Sequence, residues 1–321
     1  ERLRVVGDVR SLWYRLYVLN KQIETNRANQ KLLQSLIDVA NSRVATGRAS
    51  QGDVLLGTLE LSKLEEQTLT FEQQLVSTTA ELNRLSGRDA DVAIEPPTEL
   101  AVSLPDWSYA SLRQVARERQ PAVAAAQLQT QATRWGLEVA RLKRRPDLSL
   151  SASWLCRDDN RRASQVVDVG RDAWSLGAQV SVPLCQTKYD WIEEEAVRKH
   201  FASHASVDDV IQRYDSLVRD LWEQARTADE TARLYTQTIL PQARQTLDTD
   251  LQSYTNGTVE FDRVVRDFQS ILTLELGNHR AIGQLAVALA RIQQAVGTDL
   301  SPSLAGTSLP PQPEADRDSA K

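Results

Sequence analysis

The chain has 321 residues, of which 25% are charged and 41% hydrophobic, so its composition is that of a folded protein. The formal net charge of −5 provides no basic surface for a phosphate backbone, which argues against nucleic acid as a partner. Two cysteines without a CxxC pair give neither a disulfide framework nor a zinc knuckle. No stretch approaches the roughly 18 apolar residues of a membrane-spanning helix. The chain begins at Glu1 without a signal-peptide pattern, and we therefore expect it to be a processed or truncated piece of a longer protein.

Residues 1–87 predict a long antiparallel helical hairpin. Apolar side chains recur at heptad spacing over residues 9–44 and again over residues 54–85, and Gly47 lies between the two runs. Gly87 follows the second run as a helix-ending residue. Two long helices are therefore expected to meet at a turn centred on Gly47.

The same hairpin is predicted a second time in residues 184–300. An offset of 210 residues aligns Gly47 with Gly257 and Gly87 with Gly297 without a gap. The apolar positions follow the same offset: Val54 with Val264, Leu61 with Ile271, Leu75 with Leu285, and Leu82 with Ile292. This self-similarity indicates a duplicated unit of about 210 residues.

Three further segments separate or follow the hairpins. Residues 88–107 carry three prolines and predict a linker, and residues 108–147 predict a helix that is adjusted at Pro121. Another helix should run from about Thr187 to Gly257, a length of about 105 Å, with a kink or interruption at Pro241. The Pro-rich polar tail, residues 301–321, is predicted to be disordered.

Residues 148–183 predict two strands, because apolar and small polar side chains alternate there with a period of two. Each strand is about 10 residues long, enough to cross a bilayer as a tilted barrel strand. A half-buried surface hairpin would show the same alternation, so the pattern alone leaves both interpretations open. The candidate lipid-facing residues are Leu148, Leu150, Ala152, Trp154, Trp174, Leu176, Ala178, Val180 and Val182.

The order of these parts resembles the outer membrane efflux protein family, the TolC-like outer membrane factors, over residues 5–297. The motifs that carry the resemblance are "GRASQGDVL" and "GTVEFDRVV" at the two turns, "LPQAR" before the second turn, and "LSG" and "AVG" at the hairpin ends. The resemblance implies a mainly α fold with a small β part. Long antiparallel helical hairpins would form a coiled-coil tunnel, and strands would join a transmembrane β-barrel shared by a trimer.

The same resemblance implies a function, a location and partners. Such a protein would be a passive exit duct without enzymatic activity or cofactors, located in the outer membrane with its tunnel in the periplasm. A homotrimer would dock with a periplasmic adaptor and, through it, with an inner-membrane pump. Each family member gives four strands to the barrel, and the first copy of the strand pair would lie before Glu1, so this chain supplies two of the four.

The family's tip and gate positions fall on specific residues here. Ser50 and Glu260 also stand where caps of the outgoing helices are expected. The family's acidic gate ring falls on Arg263 and Arg266, which predicts either a basic ring or merely a solvated helix face. The tip positions are Gly47, Arg48, Ala49, Ser50, Gly257, Thr258, Val259 and Glu260, and the gate positions are Asp53, Tyr254, Arg263 and Arg266.

Other residues with chemical potential give weaker patterns. His200 and His204 are spaced to present two imidazoles to one metal, but no third ligand is evident, so ordinary surface histidines are the simpler interpretation. Cys156 and Cys185 are expected to lie too far apart for a disulfide. No nucleophile, phosphate loop or paired-carboxylate site is recognisable.

Two other functions fit parts of the sequence. A periplasmic adaptor also has a long helical hairpin, but only one, flanked by short β segments of a lipoyl-like domain. A soluble coiled-coil scaffold would leave the strands at 148–183 unexplained. The duplicated hairpin and the Trp-ended strands favour the duct, whose transported substrate and pump class the sequence leaves open.

Overall fold

The computed structural model describes residues 1–100, 102–156 and 172–298. The chain divides into two compact units: Glu1–Gln120 together with the chain from Arg213 onwards, and Pro121–Gln212. The predicted disordered tail and most of the loop between the two strands lie outside the described residues.

The first hairpin consists of α1 (Arg2–Ala45) and α2 (Gln51–Leu85). Its apolar heptad positions are buried or half-buried, and Leu33 among them is 0% exposed. Asn26, a polar residue at a heptad position of α1, is also fully buried. Its side-chain amide donates to the Leu64 carbonyl and to the Thr68 hydroxyl, each at 2.8 Å. This polar contact ties α1 to α2 at one register without leaving the amide nitrogen unpaired.

The second hairpin is built from α5 (Gln186–Leu234), α6 (Leu240–Asn256) and α7 (Phe261–Val296). A π-helical turn at Tyr235–Ile239 joins α5 to α6. Pro241 lies at the start of α6, where its missing N–H and its ring disrupt the bond to the preceding turn. The interruption expected from Pro241 is therefore present, and it takes the form of a π-helical turn before the proline.

The long helices of the first unit pack side by side in the order α2, α1, α7, α6. The contact between α1 and α7 joins the two hairpins, and one core cluster runs through all four helices. Its centre contains Phe261 and Phe268, each 1% exposed. A second cluster packs α3 against α5 and α7, with Leu112, Val218 and Ile292 at its centre.

The helix predicted over residues 108–147 is divided into α3 (Tyr109–Arg119) and α4 (Pro121–Leu142). Gln120 between them has an extended backbone, with ψ at 119°. A residue before proline is disfavoured in the helical region, so Pro121 ends α3 and begins a new helix. The expected adjustment at Pro121 is thus a complete break. The Gln120 amide then donates to the Ala295 carbonyl at 3.0 Å, which fixes the end of α3 against α7.

The second unit contains α4, the two strands and the first part of α5. Strand β1 (Asp147–Leu155) pairs antiparallel with β2 (Ala173–Ser181). The guanidinium of Arg144, just before β1, pairs with Asp190 and with Glu193 on α5. Within the described ranges no helix has the length and apolar content to cross a membrane.

Candidate functional site

The turns at Gly47 and Gly257 have the same backbone geometry. Both glycines have positive φ, 71° and 81°, a conformation that favours glycine. The N–H of the following residue bonds five residues back in each turn, from Arg48 to Arg43 and from Thr258 to Ser253. Gly87 and Gly297, at the hairpin ends, also share positive φ, so the four positive-φ glycines among the described residues follow the 210-residue offset. The duplication read in the sequence is therefore repeated in the backbone.

The first turn is fixed by a capping box at the start of α2. The Ser50 hydroxyl accepts a hydrogen bond from the Gly52 N–H at 2.9 Å, and the Asp53 carboxylate accepts one from the Ser50 N–H at 3.3 Å. The expected cap by Ser50 is confirmed. Asp53, a predicted gate residue, holds the turn in this structure, while Arg48 is exposed and Ala49 half-buried beside it.

The second turn is held in another way. The Thr258 hydroxyl donates to the Ser253 carbonyl at 3.0 Å, and Val259 packs against the core. Glu260 occupies the N-cap position of α7, but its side chain makes no capping hydrogen bond. The expectation that Glu260 caps α7 through its side chain is therefore wrong: Glu260 has the extended backbone of an N-cap, but glutamate is not among the short side chains, Ser, Thr, Asp and Asn, that cap helices. The exposed Glu260 carboxylate remains available to solvent.

Tyr254 lies under the two turns and is only 2% exposed. The Arg43 guanidinium stacks over its ring at 4.3 Å from the centroid, and the Phe261 ring lies 5.4 Å away. Burial raises the pKa of the Tyr254 phenol above its usual value, and the nearby Arg43 charge opposes this rise. Its hydroxyl has no hydrogen-bond partner among the described residues. The structure thus brings Tyr254 and Arg43 together, and Arg43 was absent from the sequence prediction.

The two predicted gate arginines are each paired with an acid. Arg263 donates to Asp250 at 2.7 Å, and Arg266 pairs with Asp262 one turn earlier on α7. Both arginine side chains nevertheless remain more than half exposed, at 58% and 63%, and the choice between a basic ring and a solvated helix face stays a prediction. The positive charge at this level is largely compensated within one chain.

A pair of carboxyl groups lies beside Arg263. Asp250, on α6, is 6% exposed, and Asp267, on α7, is half-buried. Interaction with the Asp267 carboxyl holds the pKa of Asp250 below its usual value, whereas burial and Asp250 hold the pKa of Asp267 above it. Two ionised carboxylates close together would repel, so Asp267 keeps its proton to a higher pH than Asp250 does. Sequence analysis missed this pair because its members lie on different helices, and only the hairpin register brings them together.

The two strands place their apolar residues in register. Trp154 pairs with Trp174, Ala152 with Leu176, Leu150 with Ala178 and Leu148 with Val180, while Val182 lies just beyond β2. These side chains are exposed, with Trp174 at 74%. The opposite face carries small polar residues, and the hydroxyls of Ser153 and Ser175 lie 2.8 Å apart. The hairpin therefore presents one apolar and one polar face, as the alternation predicts.

The remaining candidates have simple surroundings. Cys156 and Cys185 are both exposed free thiols, as expected. No group of three or more His, Cys, Asp or Glu side chains suited to a metal ion occurs within the described ranges.

A family model described as "Outer membrane efflux protein" matches residues 112–298, more than half of the chain. The chain belongs to the outer membrane efflux protein family. Membership of this family assigns the protein to the outer membrane, with its helical tunnel in the periplasm. No match was found among curated proteins.

Solved outer-membrane channels of this family share the fold. The outer membrane protein VceC of Vibrio cholerae aligns with a TM-score of 0.78 at 18% identity, over 94% of this chain and 71% of VceC. The outer-membrane channel OprN aligns with a TM-score of 0.80 at 16% identity, over 92% of this chain and 66% of OprN. The CmeC outer membrane channel of Campylobacter jejuni aligns with a TM-score of 0.77 at 12% identity, over 92% of this chain and 63% of CmeC. The chain therefore spans about two thirds of the length of these channels, and the mainly α fold with a small β part is confirmed.

Proposed function

We propose that this outer membrane efflux protein is one subunit of a homotrimeric, passive exit duct. It would be the outer membrane channel of a tripartite efflux or type I secretion system. The observation that carries the proposal is the pair of long hairpins, turned at Gly47 and Gly257 and packed side by side in one layer. Such a layer has two free long edges, α2 and α6, and can close into a tube only with further copies.

The outer edge of α2 supports assembly with a second copy of this chain. An apolar stripe of Leu55, Leu59, Leu69 and Val76 runs along it, and each of these side chains is between 54% and 69% exposed. Three of the four are spaced in multiples of seven residues, the spacing of a helix-packing face. Exposed apolar side chains repeated along one face suit an interaction site, and a head-to-tail contact from edge to edge closes into a ring.

The strand pair supports a place in a shared barrel. Its apolar face suits lipid and its serine-rich face suits water. A two-stranded sheet alone would leave unpaired edges, which hydrocarbon does not tolerate. Strands from other copies, and from the part of the family fold that this chain does not span, would pair with these edges.

The hairpin turns support docking with a periplasmic adaptor and, through it, an inner-membrane pump. Gly47, Arg48, Gly257 and Thr258 are exposed on rigid turns, which suits a contact surface. The duct itself would carry out no chemistry and need no cofactor. The family match does not favour a periplasmic adaptor or a soluble scaffold.

Expression of the full-length protein in a Gram-negative host tests this proposal. Outer membranes would be isolated, and the protein run unheated and heated on a denaturing gel. We expect a slow band that collapses to monomer on heating. The variant Leu69→Lys, which charges the α2 stripe, should weaken this band, whereas Thr70→Lys, one residue off the stripe, should leave it unchanged. A monomer in the soluble periplasmic fraction would refute the duct.

A further inference from the structure

Two of the three histidines of the chain lie one helical turn apart on α5, within the second unit. His200 is half-buried and His204 is exposed, and their ring centroids are 4.8 Å apart with an interplanar angle of 76°. Residues at this spacing lie on the same face of a helix. The two imidazoles therefore face the same region of solvent.

The separation of the rings matches the bite of one transition-metal ion. An imidazole nitrogen binds such an ion at about 2.0–2.1 Å, which places the ring centre about 3.2 Å from the metal. Two rings on one ion, at an angle of about 90° to 109°, then have centres about 4.5–5.2 Å apart. The observed 4.8 Å lies within this range. Because His204 is exposed, its ring has room to turn a nitrogen towards an ion held by His200.

A hydroxyl cluster on α4 and α5 fixes the tautomer of His200. The Thr133 hydroxyl lies 3.2 Å from His200 Nδ1, 2.8 Å from the Ser203 hydroxyl and 2.8 Å from the Thr130 carbonyl. The Ser203 hydroxyl also lies 2.7 Å from the His200 carbonyl. The hydroxyls of Thr133 and Ser203 carry one proton each and can therefore donate only two of these four hydrogen bonds. More of the contacts are satisfied when the His200 ring donates a third proton, from Nδ1 to the Thr133 oxygen. That tautomer leaves the lone pair of His200 Nε2 for a ligand.

We propose that His200 and His204 form a binding site for a divalent first-row transition-metal ion, with Cu²⁺ bound more tightly than Zn²⁺ or Ni²⁺. Thr133 is a positioning residue, because a partner on the second ring nitrogen orients a metal-binding histidine. Water completes the coordination, since the described residues offer no third acidic, histidine or cysteine ligand at this point. The site makes no use of the two hairpin turns, and the argument for it does not rest on the proposed duct.

Titration of the tag-free full-length protein with Zn²⁺ and Ni²⁺ by calorimetry tests the site. Both exposed cysteines are replaced by serine beforehand, because a thiolate also binds these ions. We expect one site per chain whose affinity falls about tenfold or more in His204→Gln. The matched control is His279→Gln, which changes the third histidine and should leave the affinity unchanged.

The positioning role of Thr133 has a separate readout. Thr133→Val keeps the shape but removes the hydroxyl, and should lower the affinity severalfold, whereas Thr133→Ser should restore it. Electron paramagnetic resonance of bound Cu²⁺ should show hyperfine coupling to two imidazole nitrogens, falling to one in His204→Gln. Equal affinity in His204→Gln and the parent, or a Cu²⁺ spectrum with fewer than two nitrogens in the parent, would overturn the proposal. Absence of the slow gel band would refute the trimeric duct and would leave the outcome of the metal titration unchanged.

Discussion

Replacement of Gly283 by alanine should destabilise the contact between the two hairpins. Gly283 lies on α7 where it crosses α1, and a Cβ added there would lie 2.1 Å from Cγ2 of Val18. A branched valine cannot yield by rotating a distant atom, so the helices must separate. Overpacking of this kind costs about 1–3 kcal/mol.

The size of the effect can be isolated with a matched glycine. Alanine gains about 1 kcal/mol over glycine inside a helix. At Gly136 on α4 an added Cβ has nothing within 4 Å, so Gly136→Ala should show that gain alone. The difference between the free energies of unfolding of the two variants should then equal the packing cost, about 1–3 kcal/mol.

The assay is denaturant unfolding of the full-length protein in detergent, followed by helical circular dichroism. A double-mutant cycle with Val18→Ala tests the cause, because the smaller side chain makes room for the new methyl group. We expect the double variant to be more stable than the sum of the single changes by about 1–2 kcal/mol. Equal stability of Gly283→Ala and Gly136→Ala, or additivity in the cycle, would refute the reasoning.

Three further changes probe the turns and the core. Ser50→Ala removes the cap of α2 and should cost about 1 kcal/mol in denaturant unfolding; no change would mean that the capping box adds nothing. The pKa of Asp267 is raised in the folded state, so the stability that this group contributes is present at low pH and is lost as the pH rises through the folded-state pKa. The pKa of Asp250 is lowered, so the stability that Asp250 contributes is lost as the pH falls. Asp267→Asn should therefore stabilise the protein more at neutral pH than near the ordinary value of 3.8, and a gain independent of pH would contradict the raised pKa of Asp267. Leu33→Ala, at a fully buried position, should lower the free energy of unfolding by about 2–5 kcal/mol, and an unchanged value would contradict its place in the core.

The regular elements were predictable because their signals are local or periodic. Heptad spacing marks the long helices, and alternation marks the strands, whose register pairs Trp154 with Trp174. The 210-residue offset needed no three-dimensional information, yet it located the four glycines that have positive φ in the described part of the chain. Ser50 was readable as a cap because its hydrogen bond from the Gly52 N–H joins residues close in sequence, whereas the contribution of Asp53 to the same turn was not predicted.

The features that escaped prediction depend on contacts between helices. Asp250 and Asp267 are ordinary acids in a helical sequence until the register of α6 against α7 makes them neighbours. Arg43 lies on α1, far along the chain from the Tyr254 ring that it covers. Pro241 signalled an interruption, but whether a helix kinks or widens into a π-helical turn is decided by packing along its length.

Conductance across a planar lipid bilayer tests the duct most directly. The purified full-length protein, kept unheated in detergent, would be added to one side of the bilayer under an applied voltage. The account predicts discrete, long-lived conductance steps from the trimeric band and none from the same protein after heating to monomer. Deletion of the turns around Gly47 and Gly257 would remove a closed gate as the cause of a silent channel. A pure trimer that inserts into the bilayer and conducts no ions, with or without these turns, would contradict the duct.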